Sequence, residues 1–294
     1  MNRLSFFRAV ALSAVLLQCF TIPLSAAEKA VGTGKSFKGP VGLQLYSLRA
    51  QFTKNLPEAL KTVQSFGVTE VELAGTYNLP PEKFLPMLKE HGLVAISAHF
   101  PYDKFKKDPE SIALEAKALG LKYAGCAYAG HKAPLDEKQA REIAEVFNKA
   151  GEVLKKHGIQ FFYHCHGFEF QPFGEETLMD LLIKETNPEF VKFQMDIMWV
   201  VFPGQDPVKF LNKYPKRWEL IHLKDLKKGV ATGSLSGKTD VTNDVTIGTG
   251  QMDWPAILKA AKKAGVKHYF IEDESPTSVE QIPNSLKYLE SVKF

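Results

Sequence analysis

Residues 151–170, GEVLKKHGIQFFYHCHGFEF, contain one complete structural transition. An amphipathic run rich in helix formers stops at Gly158, a residue suited to the left-handed turn that closes a helix. Ile159 to His166 then reads as a strand of apolar and aromatic residues that ends in two histidines. This order of helix, glycine, buried strand and polar strand end recurs along the chain. Strand-like runs cover Val41 to Ser47, Val68 to Leu73, Val94 to His99 and Lys122 to Tyr128 before it, and Val191 to Ile197, Glu219 to Asp225 and His268 to Glu272 after it. Helical runs follow them: Leu56 to Phe66, Pro81 to His91, Pro109 to Leu119, Asp136 to His157, Glu175 to Lys184, Pro207 to Lys213, Trp254 to Ala264 and Ser278 to Ser291. Gly67, Gly92, Gly120 and Gly265 mark further helix-to-strand junctions.

Buried strands joined by crossover helices run parallel, and eight such units predict closure into a single α/β domain, a (β/α)8 TIM barrel over residues 40–294. A doubly wound open sheet fits less well, because QLYSLRAQF after the first strand lacks a glycine-rich phosphate turn. The chain has 294 residues, 45% hydrophobic and 24% charged, which is ordinary globular composition. Residues 1–27 read as a secretory signal peptide, with Arg3 and Arg8, an apolar run from Ala9 to Phe20 and small residues at Ser25, Ala26 and Ala27. The run falls short of the ~20 residues a spanning helix needs, so an exported, periplasmic protein without stable membrane association is expected. Gln18 before Cys19 disfavours a lipidated terminus, and residues 28–39 read as a flexible lead-in. Losing Arg3 and Arg8 leaves a net charge of +2 from +4, too weak a balance for a nucleic-acid partner. Cys126 and Cys165 fall in different strands and read as core residues.

Functional groups in such barrels gather at the carboxyl ends of strands. Those ends hold Gln44 and Tyr46, Glu72, His99, Tyr128, His164 and His166, Asp196, His222 and Glu272. Asp196, His222 and Glu272 form a set of oxygen and nitrogen donors for one divalent ion: Mn, Mg, Co or Zn. Strand five supplies a fourth donor from His164, His166 or Glu169, with His164 preferred. Strand alternation puts His164 and His166 on one face and Cys165 on the other. His99, Glu72, Gln44 and Lys224 are candidate substrate-binding groups, and Trp199 offers a flat wall suited to a sugar. The loop from Lys227 to Gln251 is long enough to be a lid or binding loop.

The stretches GLQLYSLR, VELAG, SAHFPY, YHCHGFEF, QMDIMW, IHLKD, IGTGQMDW and FIEDES together resemble the xylose isomerase-like barrel superfamily, the sugar phosphate isomerase/epimerase group. The resemblance runs from Val41 to the C-terminus. It implies one divalent metal held by Glu, Asp, His and Glu, of which Asp196, His222 and Glu272 match the last three. The first position aligns with His164, a departure that removes one carboxylate. It further implies a sugar isomerase or epimerase that abstracts a proton to give a metal-stabilised enediolate, with Glu272 as ligand and base and Glu169 or His166 as partner. The missing carboxylate keeps open a dehydratase or a lyase acting on 3-keto-glycosides, reactions that need one base. A non-catalytic exported carbohydrate-binding barrel is the alternative outside enzymology. An abasic-site endonuclease would need more histidines, and Trp199 stands where one is expected. Export argues for a non-phosphorylated small-molecule sugar; a homo-oligomer is compatible with all of these readings.

Overall fold

The computed structural model describes residues 30–294. Its eight barrel strands are Val41–Gln44 (β1), Glu70–Leu73 (β2), Val94–Phe100 (β3), Tyr123–Cys126 (β4), Gln160–His164 (β5), Val191–Asp196 (β6), Trp218–Leu223 (β7) and His268–Ile271 (β8). They close into a barrel in chain order, every neighbouring pair parallel, with β1 beside β8 through Val41 opposite Tyr269. The α/β barrel expected from the repeated glycine-punctuated units is the observed fold.

Strand alternation sorts the side chains into two compartments. On β5, Phe161 and Tyr163 point to the helix layer and meet Phe147 at centroid distances of 5.0 and 4.7 Å. Phe162 points inward and joins Ile96, Tyr123, Leu220 and Phe270 in a dry plug that floors the barrel beneath the site. Gly125 on β4 makes room for that plug, since a Cβ there would collide with the Phe162 ring. Phe147 belongs to the long helix Glu137–Lys156, which Asp136 starts by accepting the Gln139 N–H at 2.8 Å. Each such fully buried aromatic contributes about 1.5–3 kcal/mol of transfer free energy.

Three short helices lie directly after strand ends and were not expected: Arg49–Lys54, Tyr102–Lys107 and Ile197–Val201. Six residues or fewer show no clear helical period. The helix expected from Glu175 begins instead at Leu178, because Glu176–Thr177 pairs with Pro172–Phe173 and Thr177 forms a capping box with Asp180. Residues 30–39, read from sequence as a flexible lead-in, are packed on the N-terminal end of the barrel. Phe37 is buried edge-on against Tyr269, and the Gly32 N–H donates to Glu290 at 3.0 Å. The signal-peptide reading and Cys19 lie outside the described residues. Among the described residues no helix is long and apolar enough to cross a membrane. Cys126 and Cys165 are both buried free thiols.

Candidate metal centre

The carboxyl ends of β5 to β8 bring four donors together. One atom each from His164, Asp196, His222 and Glu272 lies within 4.8 Å of the others, and all four residues are buried. The local structure aims each of them. Asp196 ends β6 and uses Oδ1 to accept the Trp199 N–H at 3.0 Å, capping the short helix that follows. Its Oδ2 is buried without a hydrogen-bond partner. His222 on β7 donates through Nε2 to Glu72 Oε1 at 2.5 Å. That leaves Nδ1 at 3.2 Å from Glu272 Oε2 and 3.9 Å from Asp196 Oδ2. His164 on β5 donates through Nδ1 to Gln194 Oε1 at 2.9 Å, so its Nε2 lone pair is turned toward Asp196 Oδ2, 4.0 Å away.

A second layer fixes these orientations. Glu72 accepts from Gln44 at 2.7 Å, Ser97 at 2.6 Å and Gln194 at 2.9 Å as well as from His222. Gln194 also contacts His99 Nε2 at 3.0 Å. A carboxylate or amide behind each imidazole sets the ring tautomer, the arrangement used around metal-ligating histidines.

Burial and neighbouring charges shift all four donors. Burial disfavours a charge on His222, but Glu272 and Glu72 outweigh it and push its pKa up to about 10. Burial raises Glu272, yet Lys224 and His222 hold its carboxyl well below the ordinary range. Burial pushes Asp196 up to about 7, partly offset by Lys224. An unpaired buried carboxylate oxygen is expensive unless it is protonated or coordinated. Two carboxylates, the His164 Nε2 lone pair and the His222 Nδ1, whose proton an ion would replace, fit a divalent ion, whose ligands sit at ~2.0–2.2 Å.

The donors open into a cavity of about 540 Å³ whose wall includes His99, His164, His166, Trp199 and Glu272. His166 lies just past β5; its ring centroid is 4.7 Å from that of His164 and 5.8 Å from that of Trp199. Its Nδ1 is buried and unpartnered, and burial pushes its pKa down to about 4 despite the nearby Glu272. Lys224 is buried behind the wall, 3.3 Å from Glu272, 2.6 Å from Glu274 and 3.6 Å from Asp244. Burial opposes its charge, but Glu272 and Asp244 outweigh it and raise its pKa well above the usual value.

The long loop folds over the site as wall: Gly237, Thr239, Val241 and Asp244 all border the cavity. Asp244–Val245 pairs with Asp225–Leu226, and the Asp225 carboxylate accepts the N–H groups of Gly248 and Gly250 and the Trp254 indole N–H at 2.8, 3.1 and 2.9 Å. Gly248 and Gly250 therefore serve the Asp225 anchor and do not flank the metal donors.

His99, His166 and Trp199 border the cavity, while Glu72, Gln44 and Lys224 stand behind its wall. Glu169 is placed differently from expectation. Gly167, at φ 93°, reverses the chain, and the buried Glu169 accepts from Tyr163 Oη at 2.5 Å and from the His166 N–H at 3.0 Å. It braces the turn that carries His166 and is not available as a partner base. Gln194, Glu274 and Asp244 were missed. Gln194 sits two residues before Asp196 on β6, and strand parity alone would have put it on the same face.

A closed parallel barrel with its ionisable groups gathered at the carboxyl ends of the strands defines the class of α/β-barrel proteins that house polar small-molecule sites there. Within that class the chain belongs to the xylose isomerase-like TIM barrel family, whose model matches residues 60–293. It is similar to inosose dehydratases: 27% identical over 154 residues to that of Geobacillus thermodenitrificans, covering 49% of this chain and 51% of the relative. For that of Mesomycoplasma hyopneumoniae the identity is 29% over 191 residues, covering 58% and 62%. The chain thus spans only about half to three-fifths of these curated relatives. A sugar phosphate isomerase/epimerase from Parabacteroides distasonis superposes with a TM-score of 0.73 at 26% identity, covering 92% of this chain and 98% of that one. The IOLI protein, whose crystal structure holds a zinc atom, shares the fold with a TM-score of 0.67 at 13% identity, covering 85% and 95%.

Proposed function

We propose that the chain is a divalent-metal-dependent enzyme that removes the proton beside the carbonyl of a non-phosphorylated keto-sugar. The observation that carries this reading is the four-donor cluster with the orphaned Asp196 Oδ2 at its centre. His164, Asp196, His222 and Glu272 would hold the ion, one of Mn, Mg, Co or Zn. When bound, the ion supplies Lewis acidity that polarises the carbonyl.

The chain's own groups do the rest. Glu272, kept ionised by Lys224, takes the proton at its cavity-facing carboxylate. His166, neutral at pH 7 with a free Nδ1, stands on the same wall to hydrogen-bond a substrate hydroxyl. His99 and Trp199 receive a hydroxyl and the face of the ring. Returning the proton to the opposite face of the same carbon gives epimerisation, and delivering it to the neighbouring carbon gives isomerisation. Expelling the hydroxyl on the next carbon, with the proton that Glu272 has taken, gives dehydration. The second outcome is supported by His164, an imidazole where a carboxylate would give the family's paired bases, and by the similarity to inosose dehydratases. The proposal includes export of the protein by residues 1–27 to the periplasm, where sugars without phosphate are met.

The test is proton exchange. Metal-loaded protein is incubated in D2O with keto-sugars and 3-keto-glycosides and followed by NMR. Deuterium enters beside the carbonyl in the wild type, and Glu272→Gln slows entry by roughly 10²–10⁴-fold. Binding without any exchange across the panel would replace the enzyme with a carbohydrate-binding barrel.

A further inference from the structure

A second cavity, about 510 Å³, adjoins the first. The two share Ala74, His99, Ala127 and Tyr128, so they are compartments of one open space rather than separate sites. Their chemistry differs. The first is walled by histidines and carboxylates. The annex is walled by Leu73, Ala98, Phe100, Pro101 and Leu119, and its two charged groups, Lys104 and Glu115, are paired with each other at 2.6 Å. Lys104 also lies over the Phe100 ring, 5.8 Å from its centroid, so its charge is engaged on both sides. Apart from His99 and the Tyr128 phenol on the shared wall, the Thr76 hydroxyl is the remaining polar side chain there.

A sugar ring needs several hydrogen-bond partners when it leaves water, because each unpaired hydroxyl carries a desolvation cost. The annex does not offer them. A flat apolar group needs only area, and the annex offers that. Tyr128 stands at the junction, 53% exposed although it is a large aromatic. Its ring is held by His131, stacked at 5.6 Å, and by Phe168, edge-on at 5.2 Å. A rigid aromatic exposed between two ligand-sized spaces is a stacking surface awaiting a partner.

We propose that the annex is a second subsite for an aryl substituent carried by the sugar-like ligand of the main cavity. The inference rests on the sugar reading of that cavity for the first half of the ligand and on the annex alone for the second. The ligand is then an aryl-substituted sugar, with its ring among the histidines and carboxylates and its aromatic group between Tyr128, Phe100 and Leu119.

Calorimetry on the metal-loaded full chain tests this with phenyl β-D-glucoside and methyl β-D-glucoside as probes. The phenyl compound is expected to bind on the order of tenfold more tightly, from the apolar area its ring buries. Thr76→Trp, which fills the annex from a surface loop, brings the ratio of the two affinities close to one. Equal affinities in the wild type, no binding of either probe, or an unchanged ratio in folded Thr76→Trp would each overturn the subsite. Failure of the catalytic reading looks different: the phenyl preference persists while no keto-sugar or keto-glycoside exchanges its proton with D2O.

Discussion

Replacing Glu72 by Gln removes the negative charge behind His222 while keeping the shape of the side chain. The buried Glu72 carboxylate accepts from Gln44, Ser97, Gln194 and His222 at 2.5–2.9 Å. Burial raises its pKa, but His99 and His222 outweigh this and bring it down to about 2 from the ordinary 4.5. That difference corresponds to about 3 kcal/mol of folding stability. The sign follows from linkage: a depressed carboxyl contributes fully above pH 4.5 and loses its contribution as pH falls toward 2. For a domain of this size Glu72→Gln is expected to lower Tm by roughly 6–12 °C at pH 7, with the gap to wild type closing between pH 4.5 and pH 2. The amide must also turn its N–H2 toward a donor, so His222 loses its fixed tautomer. Divalent-ion affinity, measured by competition with a chromophoric chelator, should fall about 10–100-fold. A variant with wild-type Tm at pH 7 and wild-type metal affinity would refute the role of Glu72 as the charge that orients the centre.

Asp196→Ala should abolish stoichiometric metal in elemental analysis while His166→Ala retains it, because Asp196 Oδ2 points into the donor cluster and His166 stands beside it. Burial pushes Glu169 up to about 7, though Tyr163 and the backbone N–H groups oppose it. A raised carboxyl destabilises as pH rises from 4.5 to 7, by about 3 kcal/mol at the limit, so Glu169→Gln should flatten the decline of Tm over that window; an unchanged slope would disprove it. A Cβ at Gly250 would collide with the Asp225 carboxylate and the Leu226 carbonyl. Gly250→Ala should therefore cost about 1–3 kcal/mol and speed limited proteolysis within residues 227–251.

The barrel and most of the donor set were legible because two periodicities are written into the residues. Apolar runs bounded by glycines give parallel strands, and ionisable groups at their ends converge by topology. The helices read as starting at Leu56, Asp136 and Trp254 begin at Leu56, Glu137 and Trp254, capped by Asn55, Asp136 and Asp253. The layer behind the donors was less visible. Ser97 and Gln194 are neutral residues inside strands, and only register with Asp196 and Glu72 gives them meaning. Glu169 misled because a glycine at positive φ turned it from the cavity into the helix layer. The annex was invisible, since its walls come from three strand ends and two helices whose contact no local pattern announces.

Lys224 and Asp225 are consecutive, yet one faces the carboxylates of the site and the other ties down the loop through the Gly248 and Gly250 N–H groups. The loop is thereby clamped at its two ends, leaving Gly237 to Val241 as the part that touches the cavity between fixed points. Such a segment behaves as an exchangeable cassette. Its residues can be rewritten without moving the four-donor cluster, so the cavity lining can diversify in this scaffold while the donors stay in place. A library confined to those five positions is the shortest route to a barrel of altered preference.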